Sequence, residues 1–214
     1  MNVNKALLYT DTLGLMCTNK TWSSDSIQKR ISWLYLTKSG NGTYKLNSAK
    51  DNYRSKTGML SSNAELFLHP PRIQQYTILE ICPFPYLYFP LSIGKKWNWD
   101  LKVGDQYCPN NTIKWTGDEL FKSAYQVADT VTIDLPAGKI FCYQIHAVNT
   151  SKFGTSTADF YYSYHYGIVR LSYLPFDQTK IEINFLTQFN DPELFNVIFP
   201  RYKNDAVSWD YFLK

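Results

Sequence analysis

Histidine, cysteine and methionine are scarce in this chain of 214 residues, with three, four and three of each. The three histidines, His69, His146 and His165, are scattered, and no two have the four-residue spacing of a zinc-binding helix, so no metal site is expected. Cys17, Cys82, Cys108 and Cys142 include no Cys-x-x-Cys pair, which argues against a zinc site and against a thioredoxin-like redox motif. The chain has no apolar run of the roughly 18–20 residues that a membrane-spanning helix needs. Its first residues, Met1 to Lys5, lack the basic start and apolar stretch of a secretory leader. That leaves a cytoplasmic protein or one whose leader has been removed. There is no Gly-x-Ser-x-Gly elbow and no Gly-x-x-x-x-Gly-Lys phosphate loop, so no cofactor is expected. Neither sign of charge dominates: 22 Lys and Arg face 18 Asp and Glu, and the densest basic pairs are Lys29-Arg30 and Lys95-Lys96. Nucleic-acid binders gather such charge on one stripe, so no nucleic-acid partner is expected.

Aromatic residues are abundant. Six Trp, 17 Tyr and 13 Phe make up 17% of the chain, a bias that favours strands over helices. Such an excess fits a large sheet with wide side chains on both faces, or a surface that stacks on an apolar or planar ligand.

Short apolar runs broken by Gly, Pro, Asn and Ser recur along the chain, which predicts consecutive antiparallel strands. Strands are expected over 5–17, 29–37 and 43–49, with a hairpin turn at Ser39 to Gly42, and again at 64–68 and 75–81. Cys82 to Pro90 holds three prolines among large apolar residues. Proline cannot donate to a ladder, so this is read as a crossover or edge segment packed on the sheet, and not as a domain boundary. Trp97, Trp99 and Leu101 share one strand face. Further strands are expected at 119–128, 130–135, 139–149, 157–164, 167–174 and 179–187. Alternation puts Phe141, Tyr143, Ile145 and Ala147 inward, opposite Cys142, Gln144 and His146, and also turns Ile181, Ile183 and Phe185 inward. Asp191-Pro192-Glu193 has the form of a helix start, and 205–213 of a further helical turn or two. The expected fold is all-β: a large curved antiparallel sheet, half-barrel or open barrel, with a small C-terminal helical appendage, in a single domain over 1–214.

Few residues suggest chemistry. Cys142 and His146 lie on one strand face, but four residues along a strand separate them by about 13 Å at roughly 3.3 Å per residue, too far for a nucleophile pair. Gly154 to Thr157 reads as a hairpin turn. Asp100, Asp105, Asp118 and Glu119 lie near tryptophans, and two carboxylates about 5–10 Å apart would suit glycoside hydrolysis. Asn19, Asn41, Asn110 and Asn149 head Asn-x-Ser/Thr patterns that matter only in a eukaryotic secretory protein. Cys17 and Cys142 are expected in the core, and Cys82 and Cys108 in loops, where an oxidising compartment would pair them if it formed any disulfide.

Three stretches carry a resemblance. Pro90 to Trp99 (PLSIGKKWNW), Leu135 to Ile145 (LPAGKIFCYQI) and Tyr161 to Arg170 (YYSYHYGIVR) resemble strand and hairpin segments of uncharacterised bacterial envelope proteins. That group includes TapB-like proteins and half-barrel lipoprotein carriers of the LolA type. The resemblance spans about Pro90 to Leu186 and implies a long curved sheet, export across the inner membrane and often a lipid-anchored N-terminus. It brings no active site with it, and the lipobox cysteine of such anchors is missing at the start of this chain.

These readings favour a non-enzymatic envelope protein, periplasmic or an outer-membrane lipoprotein, whose curved sheet binds an apolar or amphipathic ligand or another envelope protein. Peripheral or lipid-anchored membrane association would follow. Trp97, Trp99, Trp115, Tyr143 and Tyr162 are the candidate ligand-binding residues. Carbohydrate binding on exposed aromatic rings is the alternative, and a carboxylate-dependent hydrolase a third reading.

Overall fold

The computed structural model describes residues 12–22, 27–38, 44–46, 56–72, 74–109 and 113–185. Within them the expected single sheet is two antiparallel six-stranded sheets. The first runs β1-β2-β4-β5-β6, with β3 also paired to β2; its strands are β1 (Thr12–Thr21), β2 (Lys29–Lys38), β3 (Tyr44–Leu46), β4 (Lys56–Ser61), β5 (Glu65–Leu68) and β6 (Tyr86–Tyr88). The second is a meander in sequence order and forms a half-barrel. It comprises β7 (Lys96–Gly104), β8 (Asp118–Leu135), β9 (Gly138–Ser151), β10 (Gly154–Ser163), β11 (Gly167–Leu174) and β12 (Ile181–Asn184). The predicted strands 119–128 and 130–135 are one strand, β8. The hairpin turn predicted at 39–42 and the C-terminal helical appendage lie outside the described residues.

The apolar alternation that defines the strands also builds the core. One buried cluster takes Cys17, Ile31, Met59 and Leu66 from the first sheet and Phe121, Ile145, Phe160 and Leu171 from the second. The proline-rich segment closes the seam between the sheets. Cys82, Phe84 and Leu87 in it are buried, and β6 forms an edge of the first sheet. Trp97, on the edge strand of the second sheet, donates its indole N–H to the Tyr86 carbonyl at 2.9 Å, and Lys95 Nζ donates to the carbonyls of Tyr88 and Pro90 at 2.7 and 2.9 Å. These bonds occupy backbone acceptors that an apolar crossover would otherwise leave unpaired.

Residues 75–81 depart from the prediction. The strand-like string Tyr-Thr-Ile-Leu-Glu-Ile is a 3₁₀ helix over Gln74–Ile81. Tyr76 and every residue from Ile78 to Cys82 are buried, so the segment is covered on all sides at its C-terminal end instead of alternating as a half-buried strand does. Burial on neighbouring positions outweighs the β propensity of the residues. Cys82, expected in a loop, is buried at the end of this helix, where its thiol donates to the Ile78 carbonyl. None of the four cysteines is joined in a disulfide.

Candidate functional site

Two extra residues decide where the half-barrel exposes its aromatic rings. In the β8–β9 ladder Val127 pairs with Ile145 and Asp129 with Gln144, so Ala128 is a bulge. In the β10–β11 ladder Tyr161 pairs with Arg170 and Tyr162 with Ile168, so Val169 is a second. An unpaired residue reverses which side the following residues of its strand face. Before the first bulge, Phe121, Tyr125 and Val127 face the main core; beyond it, Val131 and Ile133 turn to the opposite side of the sheet. There they join Ile140, Cys142 and Val169 in a second, smaller cluster.

The inner face at that end is therefore left to Phe141, Tyr143, Tyr162 and Tyr164. Phe141, predicted inward with Ile145, does lie on the same face, but it extends past the covered part of the core and is 60% exposed. Phe185, also predicted to join the main core, packs instead with the smaller cluster, its ring 5.8 Å from that of Tyr166. The rings form a continuous row: Phe141 to Tyr143 at 6.3 Å, Tyr143 to Tyr164 at 5.7 Å and Tyr162 to Tyr164 at 5.4 Å, with interplanar angles of 72°, 88° and 81°. These edge-to-face contacts are favourable for aromatic quadrupoles. Phe89 of the crossover closes the row against Tyr162 at 5.2 Å, and Leu91 N–H donates to the Tyr164 hydroxyl at 3.3 Å.

Tyr164, 53% exposed, stands in the three-residue turn between Ser163 and Gly167. Gly167 takes φ +73°, the left-handed position that lets a three-residue hairpin close. The His165 N–H donates to Ser163 Oγ at 3.3 Å and fixes the turn from within. Phe141, Tyr143, Tyr162, Ser163, Tyr164 and His165 line an open cleft of about 330 Å³, with Lys139, Ile140 and Tyr166 completing its walls. Burial raises the Tyr162 phenol, and the neighbouring Tyr164 adds to that shift, so its hydroxyl stays neutral at physiological pH. The cleft thus presents ring edges and phenol hydroxyls, with Lys139 and His165 also in its lining. It is equipped to hold an apolar body and a few polar contacts.

Of the five residues singled out from sequence, Tyr143 and Tyr162 line this cleft and the three tryptophans do not. Trp97 stacks on Tyr125 at 5.4 Å and 4°, Trp99 packs among Phe67, Phe84 and Tyr86, and Trp115 is buried against Phe121 and Phe153 with its N–H on the Val103 carbonyl. Phe141 and Tyr164 were missed as site residues. The signal available was the adjacency of the Pro136-Ala137-Gly138 and Tyr164-His165-Tyr166-Gly167 turns on neighbouring hairpins.

Two other polar constellations exist. On the outer face His146 Nδ1 meets Asp159 Oδ1 at 3.0 Å, and Gln144 donates to the same oxygen at 3.1 Å. Cys142 bonds its own strand instead, donating to the Ile140 carbonyl, and burial pushes its thiol up to about 11. At the start of the crossover, the buried Glu80 carboxylate faces His69 Nε2 at 3.4 Å and Arg72 Nη1 at 3.7 Å. Arg72 also donates to the Lys56 carbonyl at 2.8 Å and the Trp33 indole to the His69 carbonyl at 2.8 Å, so the group ties the 3₁₀ helix to β2 and β4. Glu80→Gln, which keeps the shape and removes the charge, is expected to cost about 1–3 kcal/mol in urea unfolding. No loss would mean that the carboxylate is not paired. Asn149 is 1% exposed, which closes its glycosylation pattern to modification in the folded state. Among the described residues no three His, Cys, Asp or Glu side chains gather as metal ligands, and no helix is long and apolar enough to cross a membrane.

No family model matches the chain, and no curated protein matches it. One solved structure, titled as that of a "putative lipoprotein" from Parabacteroides distasonis ATCC 8503, is similar with a TM-score of 0.35 and 14% identity, covering 80% of this chain and 84% of that one. A likeness this weak carries no argument about function.

Proposed function

We propose that this is a non-enzymatic protein of the bacterial envelope whose half-barrel sheet holds an apolar or amphipathic ligand in the Phe141–Tyr143–Tyr162–Tyr164 cleft. One observation carries the reading: Phe141 and Tyr164 expose about half or more of their surface on a face where Ile145, Ala147 and Phe160 are fully buried. Exposed rings gathered in a concavity are a usual mark of a binding surface, whereas single exposed apolar residues are not. The location outside the cytoplasm rests on the resemblance of the three sequence stretches to envelope proteins. The carbohydrate reading is the weaker one, because its tryptophan platform is packed away and the cleft rings meet edge to face.

A cleft of about 330 Å³ has room for a chain of roughly ten carbons, at about the volume of a water molecule each. At about 0.8 kcal/mol per buried methylene, partial burial and ordering costs leave an expected Kd of tens of micromolar. Because no tryptophan lines the cleft, the titration should follow the emission of an apolar dye displaced by decanoate. Phe141→Ser and Tyr164→Ser are expected to weaken binding about tenfold with the far-ultraviolet circular dichroism unchanged. Equal affinity in the variants, or saturable binding of soluble oligosaccharides in place of the dye, would overturn the reading.

The same proposal takes the chain as one domain, supported by the buried cluster that draws on both sheets. Limited proteolysis is then expected to spare the stretch 82–90. Early cutting there into two stable fragments would contradict it.

A further inference from the structure

The aromatic row of the cleft ends on a cation. On β9, Lys139, Phe141 and Tyr143 are alternate residues of one strand face, and all three line the cleft. Exposure grows along the row: Tyr143 is half-buried, Phe141 is 60% exposed, and Lys139 is exposed beside the β8–β9 turn. Lys139 lies about 13 Å from Tyr143 along the strand, at roughly 3.3 Å per residue. His165 stands in the β10–β11 turn at the same end of the sheet and also lines the cleft, its ring edge to face with Tyr166 at 4.3 Å. Among the described residues no Asp or Glu lines the cleft, and Lys139 forms no ion pair. Across the ladder, β8 sets Thr130, Thr132 and Asp134 opposite Tyr143, Phe141 and Lys139. Directly opposed residues share a face, so the register puts the Asp134 carboxylate beside Lys139 but outside the cleft lining.

We propose that the ligand of this cleft is a straight-chain amphiphile with a carboxylate head. Its hydrocarbon chain lies along Phe141, Tyr143, Tyr162 and Tyr164, and its head group meets Lys139 Nζ and the His165 imidazole. The inference rests on the cleft reading above and adds the head group to it. Rings alone would select the least polar ligand, because bringing a carboxylate against apolar surface is unfavourable unless the charge is paired. The lysine ammonium supplies that partner, and an imidazole in either charge state offers at least one N–H for a second bond. One ammonium also matches a single negative charge. The lysine stem can lie on the Phe141 ring while its ammonium stays in water at the mouth. Asp134 acts against the head group, since it carries the same sign and draws on the same ammonium.

Parallel titrations with decanoate and 1-decanol, read by displacement of the apolar dye at low ionic strength, test the head group. The alcohol has the same chain without the charge, so a cleft lacking the cation favours it. Decanoate is expected to bind at least about fivefold more tightly than 1-decanol, with the margin narrowing as salt is raised. In Lys139→Gln the margin is expected to vanish or reverse. In Asp134→Asn, which removes the competing carboxylate, it is expected to widen about twofold. Both positions are exposed, so the circular dichroism of each variant is expected to match that of the wild type. Equal or tighter binding of 1-decanol by the wild type overturns the head-group assignment and leaves the apolar cleft standing. A margin unchanged in Lys139→Gln does the same. Binding of neither ligand overturns the cleft reading and this inference with it.

Discussion

Replacing Ile145 by alanine is expected to lower the unfolding free energy by about 2–5 kcal/mol, whereas Phe141→Ala should cost less than about 1 kcal/mol. The two residues share one face of β9, four positions apart, and the aromatic side chain is the larger. Size alone would predict the opposite order. The difference comes from cover: Ile145 is 0% exposed between the sheets, and Phe141 stands beyond them. Truncating Ile145 leaves a cavity that close-packed neighbours cannot collapse, while truncating Phe141 opens space already in contact with water. Urea midpoints at constant m-value would measure both. Equal losses would show that the main core extends over the aromatic end, and the cleft would then be part of that core.

Alkaline pH is expected to unfold the protein once the pH has passed the ordinary tyrosine value of 10.0. Burial pushes the Cys82 thiol and the Tyr125 and Tyr173 phenols above their ordinary values of 9.0 and 10.0. A raised value means that the native state keeps its proton where the unfolded chain has lost it. These groups therefore stabilise the fold fully below pH 9, and that contribution declines as the pH rises past the unfolded values. Well past the unfolded value each contributes a slope approaching about 1.4 kcal/mol per pH unit, so the three together remove about 3 kcal/mol between pH 10 and 11. Set against a total of 5–15 kcal/mol, this brings cooperative unfolding near pH 11–12. The phenolate absorbance of the buried tyrosines should rise together with the loss of circular dichroism. A fold stable at pH 12, with all tyrosines titrating smoothly near 10, would mean that these hydroxyls reach solvent.

Much of the half-barrel was legible in the residues. The alternation of Trp97, Trp99 and Leu101, the Gly-marked hairpins and the period-two pattern of β9 to β11 follow from side chains choosing between core and water. The count of sheets was not legible, because strand signals are local whereas the break between β6 and β7 depends on which edges pair. Phe141 lies on the face that alternation assigns it but beyond the cover of the main core, and the bulges at Ala128 and Val169 were not legible either. Nothing in an alanine or a valine marks a skipped ladder position, yet one skipped residue moves Val131 and Ile133 to the opposite side and leaves the inner rings uncovered. The aromatic excess left two readings open, a sheet with wide side chains on both faces or a ring-lined surface, and did not say which rings would be exposed. Of the tryptophans singled out from the sequence, Trp97 and Trp115 each place the indole N–H on a backbone carbonyl and Trp99 packs among Phe67, Phe84 and Tyr86. Glu80 was invisible as a paired group, since its partners His69 and Arg72 come near only when 74–81 winds into a 3₁₀ helix.

The most direct test of the central claim is a titration of protein carrying carbon-13 in its tyrosine and phenylalanine rings with decanoate, followed by nuclear magnetic resonance. Saturable shifts confined to Phe141, Tyr143, Tyr162 and Tyr164, with Tyr125 and Tyr173 unmoved, are the predicted result. Shifts spread over the core rings, or none up to millimolar ligand, would contradict the account.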